Sequence, residues 1–77
     1  MLAREMFEKL GYVREDNNGV IVYRHYVANK SICMREIDFW FDFKEYSAVD
    51  KLGGLFIDRS LHEAIHKQLE ELGWLEE

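Results

Sequence analysis

The sequence predicts an α+β fold in which an N-terminal helix, an antiparallel sheet of three to four strands and a C-terminal helix follow one another. Two observations at the chain ends support this order: apolar residues recur there at helical spacing, and both runs finish in Leu-Gly-aromatic, at residues 10–12 and 72–74. Between them, β-branched and aromatic runs are separated by turn-forming residues. We expect residues 1–77 to form one domain with both helices on one face of the sheet.

The first helix is predicted over residues 2–10, where the apolar residues lie on one side of a helical wheel. Gly11 is expected to adopt the left-handed conformation of a Schellman cap, because a β-carbon is disfavoured there. Tyr12 would then fold back onto Phe7, the apolar residue at the C3 position.

The first two strands are predicted at residues 12–15 and 20–28, where β-branched and aromatic residues dominate. The segment Asp16-Asn17-Asn18-Gly19 between them is a hairpin turn, because Asn-Gly tolerates positive φ. A second turn is expected at Asn29-Lys30-Ser31.

The third strand is predicted through residues 36–43, because apolar and polar residues alternate there. The apolar positions are expected to face the core, namely Ile37, Phe39, Phe41 and Phe43. The alternate positions form an outward row, namely Glu36, Asp38, Trp40 and Asp42. A turn at Lys44-Glu45 then leads to a weaker strand at 46–49, and Gly53-Gly54 opens a loop.

The C-terminal helix is predicted to begin at a capping box, in which the Ser60 hydroxyl accepts from the amide of Glu63 and the Glu63 side chain reaches back. Its apolar face ends before Gly73, which is expected to be a second Schellman cap. Trp74 would then fold back onto Leu69.

Composition limits the class of protein. The chain is 48% apolar and 14% aromatic, which is a globular balance, and it contains a single cysteine, Cys33. Disulfide scaffolds and cysteine-based zinc sites are therefore excluded, and a reducing compartment is favoured. Charged residues interrupt the first ten positions, and no apolar run has membrane-spanning length. We expect a cytoplasmic protein without a membrane partner.

The net charge of −5 is unevenly distributed. Residues 36–50 and residues 60–77 each carry five acidic side chains against one lysine, so each block sums to −4. Nucleic-acid binding needs clustered Lys and Arg, so direct binding of DNA or RNA is disfavoured.

The segment His62-Glu63-Ala64-Ile65-His66 matches the His-Glu-x-x-His pattern of zinc hydrolases, in which two imidazoles bind the metal and the Glu is the general base. The extended pattern would require Gly and His where this chain has Leu69 and Leu72. We therefore favour two solvated histidines on a surface helix, and predict no metal or other cofactor and no enzymatic activity. A zinc-binding protein or zinc-dependent hydrolase remains the alternative.

The outward row of Glu36, Asp38, Trp40 and Asp42 is the predicted partner-binding site. Alternate strand residues lie about 6.6 Å apart, so three carboxylates and an indole would form an anionic surface with an aromatic anchor. Such a surface suits a basic protein. The alternative interpretation is a solvated strand face, with Trp40 covered by a helix or by a second copy in a homodimer.

A third candidate is an aromatic and basic hairpin that could hold a nucleotide or another small anion. Its residues are Tyr23, Arg24, His25, Tyr26 and Arg35. Packing on a sheet face explains the tyrosines equally well, and the chain has no Gly-rich phosphate loop.

The C-terminal segment 63–74, with its Glu-Ala-Ile-x-Lys-Gln-x-Glu-Glu-Leu-Gly-Trp pattern, resembles the closing helix of small uncharacterised proteins encoded by phages and prophages of Gram-positive bacteria. The opening segment 5–12 and the Ile-x-Tyr at residues 21–23 resemble the same proteins. The resemblance is weakest between residues 29 and 55. It implies a compact accessory protein that binds and inhibits a host or defence factor.

Overall fold

The computed structural model of the protein describes residues 1–29 and 31–75, and it confirms the predicted α+β class. Two helices pack against a four-stranded antiparallel sheet, in which each strand pairs with its neighbour in sequence. The elements are α1 (Ala3–Lys9), β1 (Tyr12–Arg14), β2 (Val20–Val27), β3 (Ile32–Trp40), β4 (Glu45–Asp50) and α2 (Arg59–Glu71). We call the helix-packed side of the sheet the covered face and the other side the open face.

An aromatic cluster fills the space between the helices and the covered face. The ring of Phe7 on α1 stacks on Tyr23 of β2, with 3.8 Å between centroids, and meets Phe39 of β3 edge-on at 6.3 Å. Phe7, Tyr23, Phe39 and the neighbouring Ile37 are fully buried. Burial of such side chains is the main stabilising contribution in a domain of this size.

The buried hydroxyl of Tyr23 is satisfied within this core. It donates a hydrogen bond of 2.6 Å to Oε1 of Gln68, which is itself buried on α2. Burial raises the pKa of the Tyr23 phenol, so it stays a neutral donor. The bond joins α2 to the centre of the sheet.

The start of α1 is capped from two directions. Oε1 of Glu5 accepts from the backbone N–H of Leu2 at 2.9 Å, and Oε2 of Glu71 on α2 accepts from the N–H of Ala3 at 2.7 Å. These carboxylates satisfy amides that a helix cannot pair internally. The N-terminus of α1 is therefore completed by the opposite end of the chain.

Both glycines have the predicted positive φ, but only Gly73 completes the predicted Schellman cap; at Gly11 the N–H donates to Glu8, whereas the carbonyl of Phe7 accepts from Leu10. Gly73 has φ of 75°, its N–H donates to Glu70, and the N–H of Trp74 donates to the carbonyl of Leu69 at 3.0 Å, which is the full Schellman pattern. Gly11 has φ of 91°, and the ring of Tyr12 meets Phe7 as expected, with 5.7 Å between centroids.

The predicted extent of the third strand is wrong. β3 ends at Trp40, and the chain turns through residues 41–44, where Lys44 has φ of 51° and donates its N–H to Phe41. Phe41 and Phe43 are therefore 41% and 70% exposed instead of buried. Apolar and polar residues thus continue to alternate through residues 41–44, although these residues form a turn and not a strand.

The predicted capping box of the last helix is also wrong. α2 starts two residues earlier than a Ser60 cap implies, because the carboxylate of Asp58 accepts from the N–H of Leu61 at 2.8 Å. Glu63 is then free to accept from Arg59, its neighbour one turn away, at 3.1 Å.

β3 also begins at Ile32, four residues before the predicted start at residue 36. The boundaries of the other elements agree with the predictions to within about two residues. In the predicted turn at 29–31, Lys30 lies outside the described residues; Ala28 and Asn29 have positive φ, and the Ser31 N–H donates to Ala28. No helix in residues 1–29 and 31–75 is both long enough and apolar enough to span a membrane.

Candidate functional site

The open face is built by the strand register. Cross-strand pairing places Asp38 beside Val22 and Ser47, and Trp40 beside Val20 and Glu45. Antiparallel partners directly opposite one another point to the same side of the sheet. Alternate residues of three strands therefore form one continuous surface, on which Glu36, Asp38 and Trp40 of the predicted outward row lie.

Glu36 is not a free carboxylate. It accepts from Nε of Arg24 at 2.8 Å, and Arg24 also donates to Glu15 at 2.8 Å, while the Tyr26 hydroxyl donates to the same Glu15. The Arg24 hydrogen bond holds the pKa of Glu36 below its ordinary value, and the Tyr26 and Arg24 bonds do the same for Glu15. One guanidinium is thus shared by two carboxylates, so Glu36 is hydrogen-bonded although the trio of Arg24, Glu15 and Glu36 keeps a net charge of −1.

Asp38 is the unusual group of the open face. The residue is 7% exposed, and no other described residue donates a hydrogen bond to its Oδ1. Burial, together with the neighbouring Glu36 carboxyl, raises the pKa of Asp38 to about 7. A buried acceptor without a donor lowers the stability of the folded protein, and a ligand that donates a hydrogen bond to Asp38 would remove this cost.

Trp40 lies next to Asp38 on the same face and is 42% exposed. Its indole Nε1 donates to Oγ of Ser47 at the long distance of 3.4 Å, which is a weak contact. Val20 and Val22 are buried beside it despite lying on the open face. The centre of this surface is therefore apolar and aromatic, with one embedded carboxyl.

Asp42 is separated from the other three residues. It lies in the turn at 41–44, is exposed, and follows the end of β3. The structure therefore brings Glu36, Asp38 and Trp40 together and places Asp42 beyond the strand. The four residues do not form the uniform anionic row that the alternation predicts.

The histidine pair lies elsewhere, on the exposed side of α2. The rings of His62 and His66 are 6.5 Å apart, and they line a shallow groove of about 480 Å³ with Met6 of α1. In residues 1–29 and 31–75, no group of three or more His, Cys, Asp or Glu side chains is placed to hold a metal ion. Glu63, the general base of the motif, is paired with Arg59.

The candidate anion hairpin does not form one site. Tyr23 points into the core on the covered face, whereas Arg24 and Tyr26 contact Glu15 on the open side. Arg35 is paired with Asp50 at 3.0 Å. The cationic groups of the hairpin are thus engaged by carboxylates of the chain itself.

Sequence reasoning missed two groups at this surface. The pairing of Arg24 with Glu15 could have been found, because a hairpin at residues 16–19 places them near one another, whereas its pairing with Glu36 depends on the register of β2 and β3. The burial of Asp38 had no sequence signal, because the side chains that surround it come from three strands.

Comparison of the chain with models of protein families, with curated proteins and with solved structures finds no match.

Proposed function

We propose that this protein acts without catalysis, by binding another protein through the open face of its sheet, and that the partner inserts a basic side chain beside Trp40. The observation that carries this proposal is the buried Oδ1 of Asp38, which has no donor among the described residues. A lysine or arginine of a partner would supply that donor.

The chemistry around Asp38 favours arginine in particular. A guanidinium that docks beside the exposed indole of Trp40 gains a cation–π contact, and its planar N–H groups can reach a neighbouring carboxylate at the same time. Val20 and Val22 are buried next to it, so the contact would rest on an apolar layer that water does not enter. This arrangement is typical of a binding hot spot: an aromatic anchor with one desolvated charge pair.

In the context that the resemblance implies, the partner is a host or defence factor in the cytoplasm of a Gram-positive bacterium, and the protein is a phage or prophage accessory protein. A partner that normally grips nucleic-acid phosphates would present the required arginines. The exposed Asp42 and Glu45 at the edge of the face would steer such a partner without forming the central contact.

Affinity capture from a Gram-positive cell lysate tests the proposal with three baits: the wild type, Asp38→Asn and Asp42→Asn. Asparagine keeps the shape of the side chain, whereas lysine at position 38 would bury an ammonium group and unfold the domain. We expect a protein that the wild type and Asp42→Asn retain and that Asp38→Asn loses.

The captured protein is then purified and titrated calorimetrically against each variant. Loss of one charge-assisted hydrogen bond predicts about 10- to 100-fold weaker binding by Asp38→Asn. Equal capture by all three baits, or an empty capture by the wild type, would contradict the proposed surface.

A further inference from the structure

The outer edge of β4 offers unpaired backbone groups. In an antiparallel ladder, alternate residues of a strand bond to one neighbour and the residues between them point the other way. The N–H of Lys51 donates to Met34 at 3.0 Å, so the odd-numbered residues of β4 bond to β3. The N–H and C=O groups of Tyr46 and Ala48 therefore point outward from the sheet.

The middle of this edge, residues 46–49, lacks the features that normally protect an edge strand, and charged side chains occur only at its two ends, Glu45 and Asp50. Proteins blunt exposed edges with prolines, lysines, bulges or very short strands. The six residues Glu45–Asp50 contain neither proline nor lysine, and their pairing with β3 is regular. The opposite edge strand, Tyr12–Arg14, has only three residues.

We propose that β4 is a self-association edge, at which two copies of this chain pair antiparallel about a two-fold axis through Ser47 and form one eight-stranded sheet. The open faces of both copies stay uncovered in this arrangement. The inference therefore stands independently of the proposed protein partner.

The free backbone groups select this register. When the pair is centred on Ser47, Tyr46 of each copy lies opposite Ala48 of the other copy. Each of these two Tyr46–Ala48 pairs forms two hydrogen bonds, and the resulting four bonds use all the outward N–H and C=O groups of both residues. A register centred on Ala48 would require the carbonyl of Asp50, which already accepts from the N–H of Gly53 at 3.1 Å. The chain that folds back at Gly53 limits the edge at that end.

The flanks of β4 are complementary in the same register. Lys44, which precedes the strand, falls opposite Asp50, the last residue of the other copy's strand. The 70% exposed Phe43 falls near the 85% exposed Leu52 of the other copy. A register shifted by one residue would instead place Glu45 opposite Asp50, which is a like-charge pair.

The helices leave room for the second copy. Tyr46 lies on the covered face of β4 and is still 43% exposed, so the helix layer does not extend over this strand. A two-fold axis perpendicular to the sheet puts the helices of both copies on the same side, and the two exposed Tyr46 rings then pack against the opposite Ala48 side chains.

Cysteine cross-linking tests the register, with Cys33→Ala introduced in every variant to remove the native thiol. Ser47→Cys places two thiols at a non-hydrogen-bonded pair, with Cα atoms about 4.5 Å apart, within reach of a disulfide. Val49→Cys is the matched control, because it is exposed on the same face but its two copies would lie roughly 14 Å apart.

We expect Ser47→Cys to form a covalent dimer in a glutathione redox buffer, seen on a non-reducing gel, and Val49→Cys to remain monomeric. Equal cross-linking of both variants, or of neither, would overturn the register.

Sedimentation equilibrium of the unmodified chain tests the association itself, and we expect a dimer of twice the 9.2 kDa chain mass. Ala48→Pro removes an outward N–H that β3 does not use, so it should keep the fold and weaken dimerisation about thirtyfold, whereas Ala48→Thr should not. A wild-type monomer, or a dimer that a folded Ala48→Pro variant retains, would overturn the proposal.

Discussion

The covered and open faces of the same sheet differ in how their buried polar side chains are hydrogen-bonded. On the covered face, the deeply buried hydroxyl of Tyr23 has a short hydrogen bond to Gln68, Phe7 stacks on the Tyr23 ring, and Phe39 meets both rings edge-on. On the open face, Asp38 is nearly as buried but has an oxygen without a donor, and Trp40 beside it is partly exposed.

The covered face also holds one buried oxygen without a partner among the described residues, the Tyr12 hydroxyl, but that group is a neutral phenol whose pKa is raised by burial. The unsatisfied group of the open face is instead a carboxyl whose pKa lies at about 7, so its charge near neutral pH is costly unless a partner pairs with it.

The largest expected effect is the loss of a covered-face anchor. Phe7→Ala removes a fully buried ring that contacts Tyr12, Tyr23 and Phe39, so the free energy of unfolding should fall by about 3–5 kcal/mol. Trp40→Ala on the open face should cost far less, about 1 kcal/mol, because the indole is partly exposed. Urea denaturation followed by circular dichroism measures both. Similar losses would mean that the open face is packed as tightly as the core.

The second effect is the pH dependence of stability caused by Asp38. Its pKa of about 7 in the folded state exceeds the ordinary value of 3.8, so the folded state binds the proton more tightly than the unfolded state. The free energy of unfolding should therefore fall as the pH rises from about 4 to about 7. Asp38→Asn should remove this loss and stabilise the protein at alkaline pH.

The control for Asp38→Asn is Asp42→Asn, the same chemical change in the exposed turn. It should follow the wild-type profile at every pH in urea denaturation series. A wild-type profile without the decline, or an Asp38→Asn variant that is less stable than the wild type at alkaline pH, would mean that Asp38 is satisfied in solution.

The third effect compares tyrosine hydroxyls on the two sides of the sheet. Tyr23→Phe leaves the buried Oε1 of Gln68 without a donor and should cost about 1–2 kcal/mol of unfolding free energy. Tyr26→Phe removes the hydrogen bond to the partly exposed Glu15 and should cost less, because water replaces it. Thermal denaturation ranks the two variants, and the reverse ranking would argue against the covered face as the better-satisfied side.

The smallest effect is a change in the titration of Asp38. Glu36→Gln removes the neighbouring negative charge, so the pKa of Asp38 should fall, although burial still holds it above its ordinary value. Arg24 remains held by Glu15 in this variant. The ¹³C chemical shift of the Asp38 carboxyl, followed through a pH titration, reports the change. The control is Glu45→Gln at the first residue of β4, opposite Trp40. This variant should leave the titration curve of Asp38 unchanged.

Much of the fold could be predicted because its determinants are local. Glycine at positions 11 and 73 marks the ends of two helices, and Asn-Gly at residues 18–19 marks a hairpin. The end of β3 could not be predicted, because the turn at 41–44 uses Lys44 at positive φ instead of glycine or asparagine. Apolar residues also continue in phase through that turn.

The site could be predicted only in part, for a physical reason. Strand alternation assigns Asp38 to the open face, and this assignment is correct. Alternation does not reveal how deeply a side chain is buried, because that depth depends on Val22 and Ser47 of the adjacent strands. The same limit applies to Glu36, whose charge is taken up by Arg24 from another strand.

The hydrogen bond from Ala3 to Glu71 has a consequence for how the chain folds. A helix of seven residues is too short to persist by itself in water, and part of its N-terminal cap comes from a carboxylate 68 positions away. α1 should therefore gain its native structure only after α2 has docked on the sheet, which makes it a late element of the folding reaction. Removing the cap by Glu71→Ala should then mainly speed unfolding and leave the refolding rate almost unchanged in stopped-flow experiments.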